Sequence, residues 1–239
     1  MNQDRIEPGK FNIIYADPPW RFKNWSMDEL AKRGEKWARK NGRSPYNVMD
    51  HRALCSLPIY DLAAKNSALG MWVTDPKIDE GLEVMQSWGF GYTTVLFYWI
   101  KTNPLGLKIK FGSLVNLIQP YLGKRGFEKM VRVLPDLIEG WHLGLGYHTR
   151  ANPEQCWLGQ RGKGLRRVDN TVPRLIVSPV GEHSQKPHEA RLRIKRLYGE
   201  VPRIELFARQ RAKDWSAWGN EVPGGNDIEI DEPQPIALM

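Results

Sequence analysis

An acid, two prolines and a tryptophan follow directly on an apolar run near the start of the chain, where residues 11–22 read FNIIYADPPWRF. The run Phe11 to Ala16 is apolar and β-prone, as expected of a strand covered on both faces. Two consecutive prolines end a sheet ladder, because each lacks an N–H donor and has its φ fixed, and this puts Asp17 at the strand's carboxyl end. In open α/β sheets that edge carries the ligand crevice. A carboxylate beside a rigid proline carbonyl suits a demanding task. Asp17 and the Pro18 carbonyl are placed to accept hydrogen bonds from both hydrogens of an amino group conjugated to a ring, turning its weak lone pair toward an electrophile. Trp20 offers a flat face on which such a ring can stack. A base inside a duplex does not reach such a pocket, so it must be flipped out or delivered single-stranded.

The elements that would position this acid follow in a regular rhythm. DHRALCSLPIYDLAAKN reads as a helix broken at Pro58, and SALGMWVT as a second buried strand. TDPKIDEGLEVMQSWG is a helix, with Thr74 or Asp75 as cap, Pro76 in its first turn and Gly89 at its end. YTTVLFYWI is a third strand. Strand, helix, strand implies parallel βαβ units with right-handed crossovers. EQCWLGQ, RLIVSPV and RIELFAR read as further short strands, and KPHEARLRIKRLYG as a helix with Ala190, Ile194 and Leu197 on one face. The fold class is therefore α/β, with a doubly wound, mostly parallel sheet. From Leu105 to about Leu143 the pattern is lost, apart from a helical stretch in GFEKMVRVLPDLIEG interrupted by Pro135. The reading is one domain over residues 1–224 with basic insertions at about 21–45 and 105–143, and a flexible acidic tail at 225–239.

Composition narrows the partners. With 239 residues, 41% of them hydrophobic, the chain can build one sizeable core. No apolar stretch approaches the roughly 18 residues of a membrane span, and the amino terminus lacks a signal-peptide core. With only Cys55 and Cys156, and no Cys-x-x-Cys pair, neither a disulfide framework nor a zinc knuckle is expected, and a cytoplasmic location fits. The histidine pairs His142/His148 and His183/His188 lack the companions of a metal site, so no metal is expected. The formal charge is +8 and it is bunched. Arg21, Lys23, Lys32, Arg33, Lys36, Arg39, Lys40 and Arg43 face only Asp28, Glu29 and Glu35 in the first insertion, and between Lys101 and Arg132 the residues Lys108, Lys110, Lys124, Arg125 and Lys129 face Glu128 alone. Such clusters favour a polyanion through phosphate contacts and counterion release. They would equally serve a subunit interface, and a homodimer is one assembly they allow.

DPPW, then YNVM, GMWVTD, WIKTN, EQCWLG, SQKPHE, RIELFAR and WGN, in that order over most of residues 11–222, resemble the S-adenosylmethionine-dependent N6-adenine methyltransferases of the beta class. Within that class the resemblance is to the branch of the catalytic subunit of the eukaryotic messenger-RNA adenosine methyltransferase. It implies a Rossmann-like methyltransferase fold, S-adenosylmethionine as cofactor and nucleic acid as partner. It also implies roles at matching positions: Asp17, Pro18, Pro19 and Trp20 form the catalytic motif, with Asp17 also near the cofactor's methionine amino group. Lys186 pairs with the cofactor carboxylate, a use suited to a compact ammonium. Arg209 and Asn220 hold the ribose hydroxyls, with Phe207 lining that crevice and Glu221 following Asn220. Tyr46 closes over the target adenosine alongside Trp20. Glu154 resembles an acid of the acceptor pocket, though a strand-end salt bridge explains it nearly as well. The chain departs from the family: only sixteen residues precede Asp17, Arg211-Ala212 stand where the family carries His-Asn, Glu221 replaces a glutamine, and the loop between Trp20 and Tyr46 and the segment 105–143 are longer than in the eukaryotic enzyme.

The compact chain favours DNA over RNA as the polymer. Methylation of cytosine N4 needs the same amino geometry and is disfavoured by the ordered motif set. A non-catalytic nucleic-acid-binding partner subunit would be expected to lose the DPPW motif and the cofactor lysine, whereas Asp17 and Lys186 are retained.

Overall fold

The computed structural model describes residues 9–21, 48–106, 108–109, 138–144, 148–181 and 185–230. A seven-stranded mixed sheet organises them. Its strands are β1 (Phe11–Ala16), β2 (Ala63–Val73), β3 (Gly91–Thr102), β6 (Pro153–Arg161), β7 (Leu175–Pro179), β8 (Arg203–Leu206) and β9 (Ser216–Trp218), in the spatial order β7-β3-β6-β2-β1-β8-β9. A separate two-stranded antiparallel sheet pairs β4 (Lys108–Ile109) with β5 (Ile138–Glu139). The helices are α1 (His51–Ser56), α2 (Ile59–Leu62), α3 (Ile78–Ser87) and α4 (His188–Tyr198). Strands β2, β1, β8 and β9 run parallel to one another, while β6 runs antiparallel to β2. The fold is Rossmann-like, as the alternation of strands and helices in the sequence requires.

Both faces of the central strands are covered. On one face Ile14, Ala16, Leu69, Met71, Val73, Ile204 and Leu206 join Leu54, Val84, Met85 and Trp88 of the α1–α3 side in a single core. A register irregularity between Phe11 and Ile13 lets Phe11 and Ile14 share that face although they are three residues apart. The opposite face carries Tyr15, Gly70 and Glu205. There α4 lies so close that a side chain at Gly70 would meet Tyr15 and Ile194 at about 3.4–3.5 Å. Trp72 donates from its indole nitrogen to the Tyr15 hydroxyl at 2.6 Å, and Trp215 packs edge-on against the Tyr15 ring, centroids 5.8 Å apart.

The chain divides into two compact units. The first holds residues 1–98, 154–174 and 188–239, and the second 99–153 and 175–187. Within the second unit, Asn152 is the organiser: its amide donates to the carbonyls of Lys101 and His142 at 2.9 and 2.6 Å, and its oxygen accepts from the Lys101 backbone N–H.

Several boundaries differ from the sequence reading. Strand β2 begins at Ala63 rather than Ser67, so the chain goes directly from α2 into extended structure. Neither Thr74 nor Asp75 caps a continuous helix. A 3-10 turn over Asp75–Lys77 with proline in its first positions precedes α3, and the Thr74 side chain makes no capping bond. The helical reading of residues 126–140 is corrected at its described end, where Ile138–Glu139 form a strand. Residues 225–230, expected within a flexible tail, are held instead: Ile228 and Ile230 are buried, and Asp227 accepts the Ala217 N–H and pairs with Arg211. The first basic insertion beyond Arg21, and most of the second, lie outside the described residues.

Candidate functional site

The parallel pairing brings three strand ends into line. Ala16 is in register with Leu206, and Leu206 with Trp218, so Asp17, Phe207 and Gly219 each stand one residue beyond the same edge. Val73 pairs with Gln155, which brings Glu154 opposite the carboxyl end of β2 at that edge too. An acid of the first strand, the turn after β8, the turn after β9 and an acid of β6 are thus set along the edge where open α/β sheets bind ligands.

Asp17 is half-buried and Pro18 buried. The Pro18 carbonyl accepts the Trp20 backbone N–H at 2.9 Å, which fixes its direction and leaves it a second lone pair. The Pro19 carbonyl accepts from Met49 N–H at 2.9 Å, and Trp20 forms a parallel bridge with Met49. The chain that leaves the motif at Arg21 is therefore back beside it by Val48, where Asp50 caps α1 by accepting the Ala53 N–H at 2.9 Å. Trp20 is 5% exposed and its indole donates to the Trp72 carbonyl at 3.2 Å, anchoring the motif to the end of β2. Tyr46 lies outside the described residues.

Next to β1, strand β8 ends abruptly. Phe207 has φ of 58°, a left-handed conformation that a bulky residue adopts only when its surroundings impose it. Two contacts impose it here. Its ring packs edge-on against Trp218, centroids 5.3 Å apart, and lies 6.5 Å from Trp88, while the following Ala208 N–H donates to the Trp218 carbonyl. The ring is thus turned into the core, and the backbone turn stands at the edge. Gly219 packs flat on that turn, where any β-carbon would collide with the Ala208 carbonyl. Arg209 is half-exposed beyond the turn, and Asn220 and Glu221 are exposed after β9. Arg211 is a functional-looking residue with a structural job. Its guanidinium donates to the Pro223 and Gly225 carbonyls and to Asp227, clamping the segment that follows Asn220. Lys186 belongs to the second unit, half-buried two residues before α4.

Sequence reasoning missed the pair behind Asp17. On β8, Glu205 is in register with Tyr15 and accepts two hydrogen bonds from Arg191 Nη1, at 2.7 and 3.1 Å. Burial pushes the Glu205 carboxyl above its ordinary value against the pull of Arg191, and the charge of Asp17 pushes the same way as burial. The available signal was the placement of Arg191 three residues before Ile194, on the helix face that meets the sheet.

The sheet and the acid at its edge define a Rossmann-like methyltransferase domain. A family model described as MT-A70 matches residues 11–124 and 137–221, and the chain belongs to that family. It is similar to a Type II methyltransferase, M.MunI, of Mycoplasma sp, 26% identical over 92% of this chain and 81% of that protein. It is also similar to the human N(6)-adenosine-methyltransferase catalytic subunit METTL3, 23% identical over 96% of this chain and 30% of that protein. A third relative is an N(6)-adenosine-methyltransferase MT-A70-like protein of Arabidopsis thaliana, 24% identical over 90% of this chain and 24% of that protein. The chain thus spans less than a third of the two eukaryotic relatives and most of the Mycoplasma one.

Proposed function

We propose that the chain is an S-adenosylmethionine-dependent methyltransferase that modifies the N6 amino nitrogen of adenine in nucleic acid, with DNA as the polymer. The observation that carries the reading is the position of Asp-Pro-Pro-Trp one residue beyond β1, in register with the ends of β8 and β9. The residue types suit the cofactor's chemistry: Asp17 for its ammonium group and, at the neighbouring strand ends, Arg209 and Asn220 for ribose hydroxyls, while the resemblance assigns its carboxylate to Lys186. When bound, S-adenosylmethionine supplies an electrophilic methyl group on a sulfonium.

The chain's own residues do the rest. Asp17 and the second lone pair of the Pro18 carbonyl accept the two amino hydrogens of adenine, which directs the nitrogen lone pair outward. The new N–C bond leaves that nitrogen with one proton too many, and Asp17 is the nearest group of this motif able to take it before solvent does. Tyr46 serves the base, with Glu154 of β6 as the acid; Trp20, expected as a stacking face, is instead buried and holds the motif to β2. The basic segments at 21–45 and 105–143 grip phosphates. DNA is favoured because the chain resembles a Type II methyltransferase, 26% identical over 92% of this chain. A cytoplasmic location and a homodimer complete the reading. Among the described residues no helix is long and apolar enough to cross a membrane.

The test is to offer methyl-labelled cofactor with matched DNA and RNA oligomers and digest the products to nucleosides. N6-methyladenine in DNA is the expected product. Label appearing only in RNA would move the substrate to RNA, and label on cytosine would overturn the base assignment.

A further inference from the structure

We propose that Arg191 is a positioning residue for the transfer: by holding Glu205 as a paired carboxylate, it keeps a second acid at the strand tips from competing with Asp17 for a proton. The inference rests on the reading of Asp17 as the acid that receives the amino group. Strand alternation assigns Tyr15 and Asp17 to one side of β1, and the register sets Glu205 beside Tyr15. The side chains of Arg191 and Glu205 are only 5% and 12% exposed. A dry carboxylate without a cation, beside the half-buried Asp17, would share one proton with it, and neither would then be a dependable acceptor. A guanidinium prevents this because it stays charged at every working pH. Burial and the charge of Asp17 both push the Glu205 carboxyl up, and Arg191 pulls it down.

The other groups around Glu205 do not replace Arg191. Tyr15 carries a hydroxyl whose pKa is raised well above its usual value, chiefly by burial and further by Cys156 and Glu205, so it is neutral. Arg203 lies two residues down β8, engaged with Glu200 and the carbonyls of Gly199 and Val201. Lys195, one turn along α4, is held by Glu200 and Asp214. Arg191 alone among the described residues bonds to the Glu205 oxygens.

The experiment measures kcat/KM for methyl transfer, and cofactor affinity by calorimetry, from about pH 4.5 to about pH 8 in the full chain. Arg191→Met is expected to move the acid limb of both profiles upward by about one pH unit, with a much smaller loss at the alkaline end. Arg191→Lys should leave the limb near its parental position, and Arg191→Met combined with Glu205→Gln should return it there. An unmoved limb, or an equal loss at every pH, overturns the proposal. Should Arg191→Met fail to fold, Glu205→Gln decides: its limb should stay at or below the parental pH, and a rise overturns the proposal. Asp17→Ala separates the two levels. If that variant still transfers methyl groups, the reading of Asp17 fails; if it is inactive while the Arg191 limb is unmoved, only the role of Arg191 falls.

Discussion

Strand β8 carries a cation–carboxylate cluster at each end, and the two behave oppositely. At its foot, Arg203 donates to Glu200, and Lys195 bridges Glu200 and Asp214. Those carboxylates are well exposed, and hydrogen bonds from Lys195 hold both below their ordinary values. At its tip, the Arg191 and Glu205 side chains are nearly dry, and burial outweighs the arginine and lifts Glu205. The same chemistry thus gives a surface clamp in one place and a strained acid beside Asp17 in the other. Solvent makes the difference: exposed pairs contribute little to stability, whereas an unpaired buried charge is costly. A protein that only needed to fold would do better with an apolar pair at the tip, which is why we read the tip as part of the site.

The largest expected effect is on chemistry at the tip. Asp17→Ala should lower methyl transfer by at least about a thousandfold, since it removes both an orienting acceptor and a proton acceptor. Its circular dichroism and unfolding midpoint should stay near those of the parent. Arg191→Met should destabilise the fold by about 3 kcal/mol in denaturant unfolding, because it leaves Glu205 without its partner. Gly219→Ala should cost about 2 kcal/mol by forcing a methyl into the Phe207–Ala208 turn, and should weaken cofactor binding with it.

Smaller effects belong to the exposed clusters. Asp169, held by Thr171 and Arg196, has its carboxyl lowered from 3.8 to about 2. A lowered carboxyl stabilises the fold above its unfolded value and loses that contribution as pH falls through its folded value. The melting temperature should therefore decline as pH falls from 3.8 toward 2, and Asp169→Asn should flatten that part of the curve. Glu205 has the opposite sign: its raised value makes stability fall as pH rises from its ordinary 4.5 through the folded value. Lys195→Met at the foot should barely move the melting temperature at neutral pH. A loss there as large as that of Arg191→Met would erase the contrast between the two ends.

The central strands and the acid were legible because covered strands are apolar runs and because Pro-Pro stops a ladder wherever it stands. Strand β9 was not, since three residues ending in Trp218 show no period. The Arg191–Glu205 pair was hidden by its composition: an arginine in a helix rich in arginine reads as solvated until the sheet is placed against it. Arg211 looked like a departure from the cofactor site, and its clamp on Asp227 required a contact sixteen residues away. Strand ends declare themselves locally, whereas pairings across elements do not.

The most direct measurement is transfer of labelled methyl from S-adenosylmethionine to a DNA oligomer by the parent and by Asp17→Ala, with the product digested to nucleosides. N6-methyladenine from the parent and near-complete loss in the variant is the predicted result. Equal labelling by a folded Asp17→Ala protein would contradict the assignment of chemistry to the tip of β1.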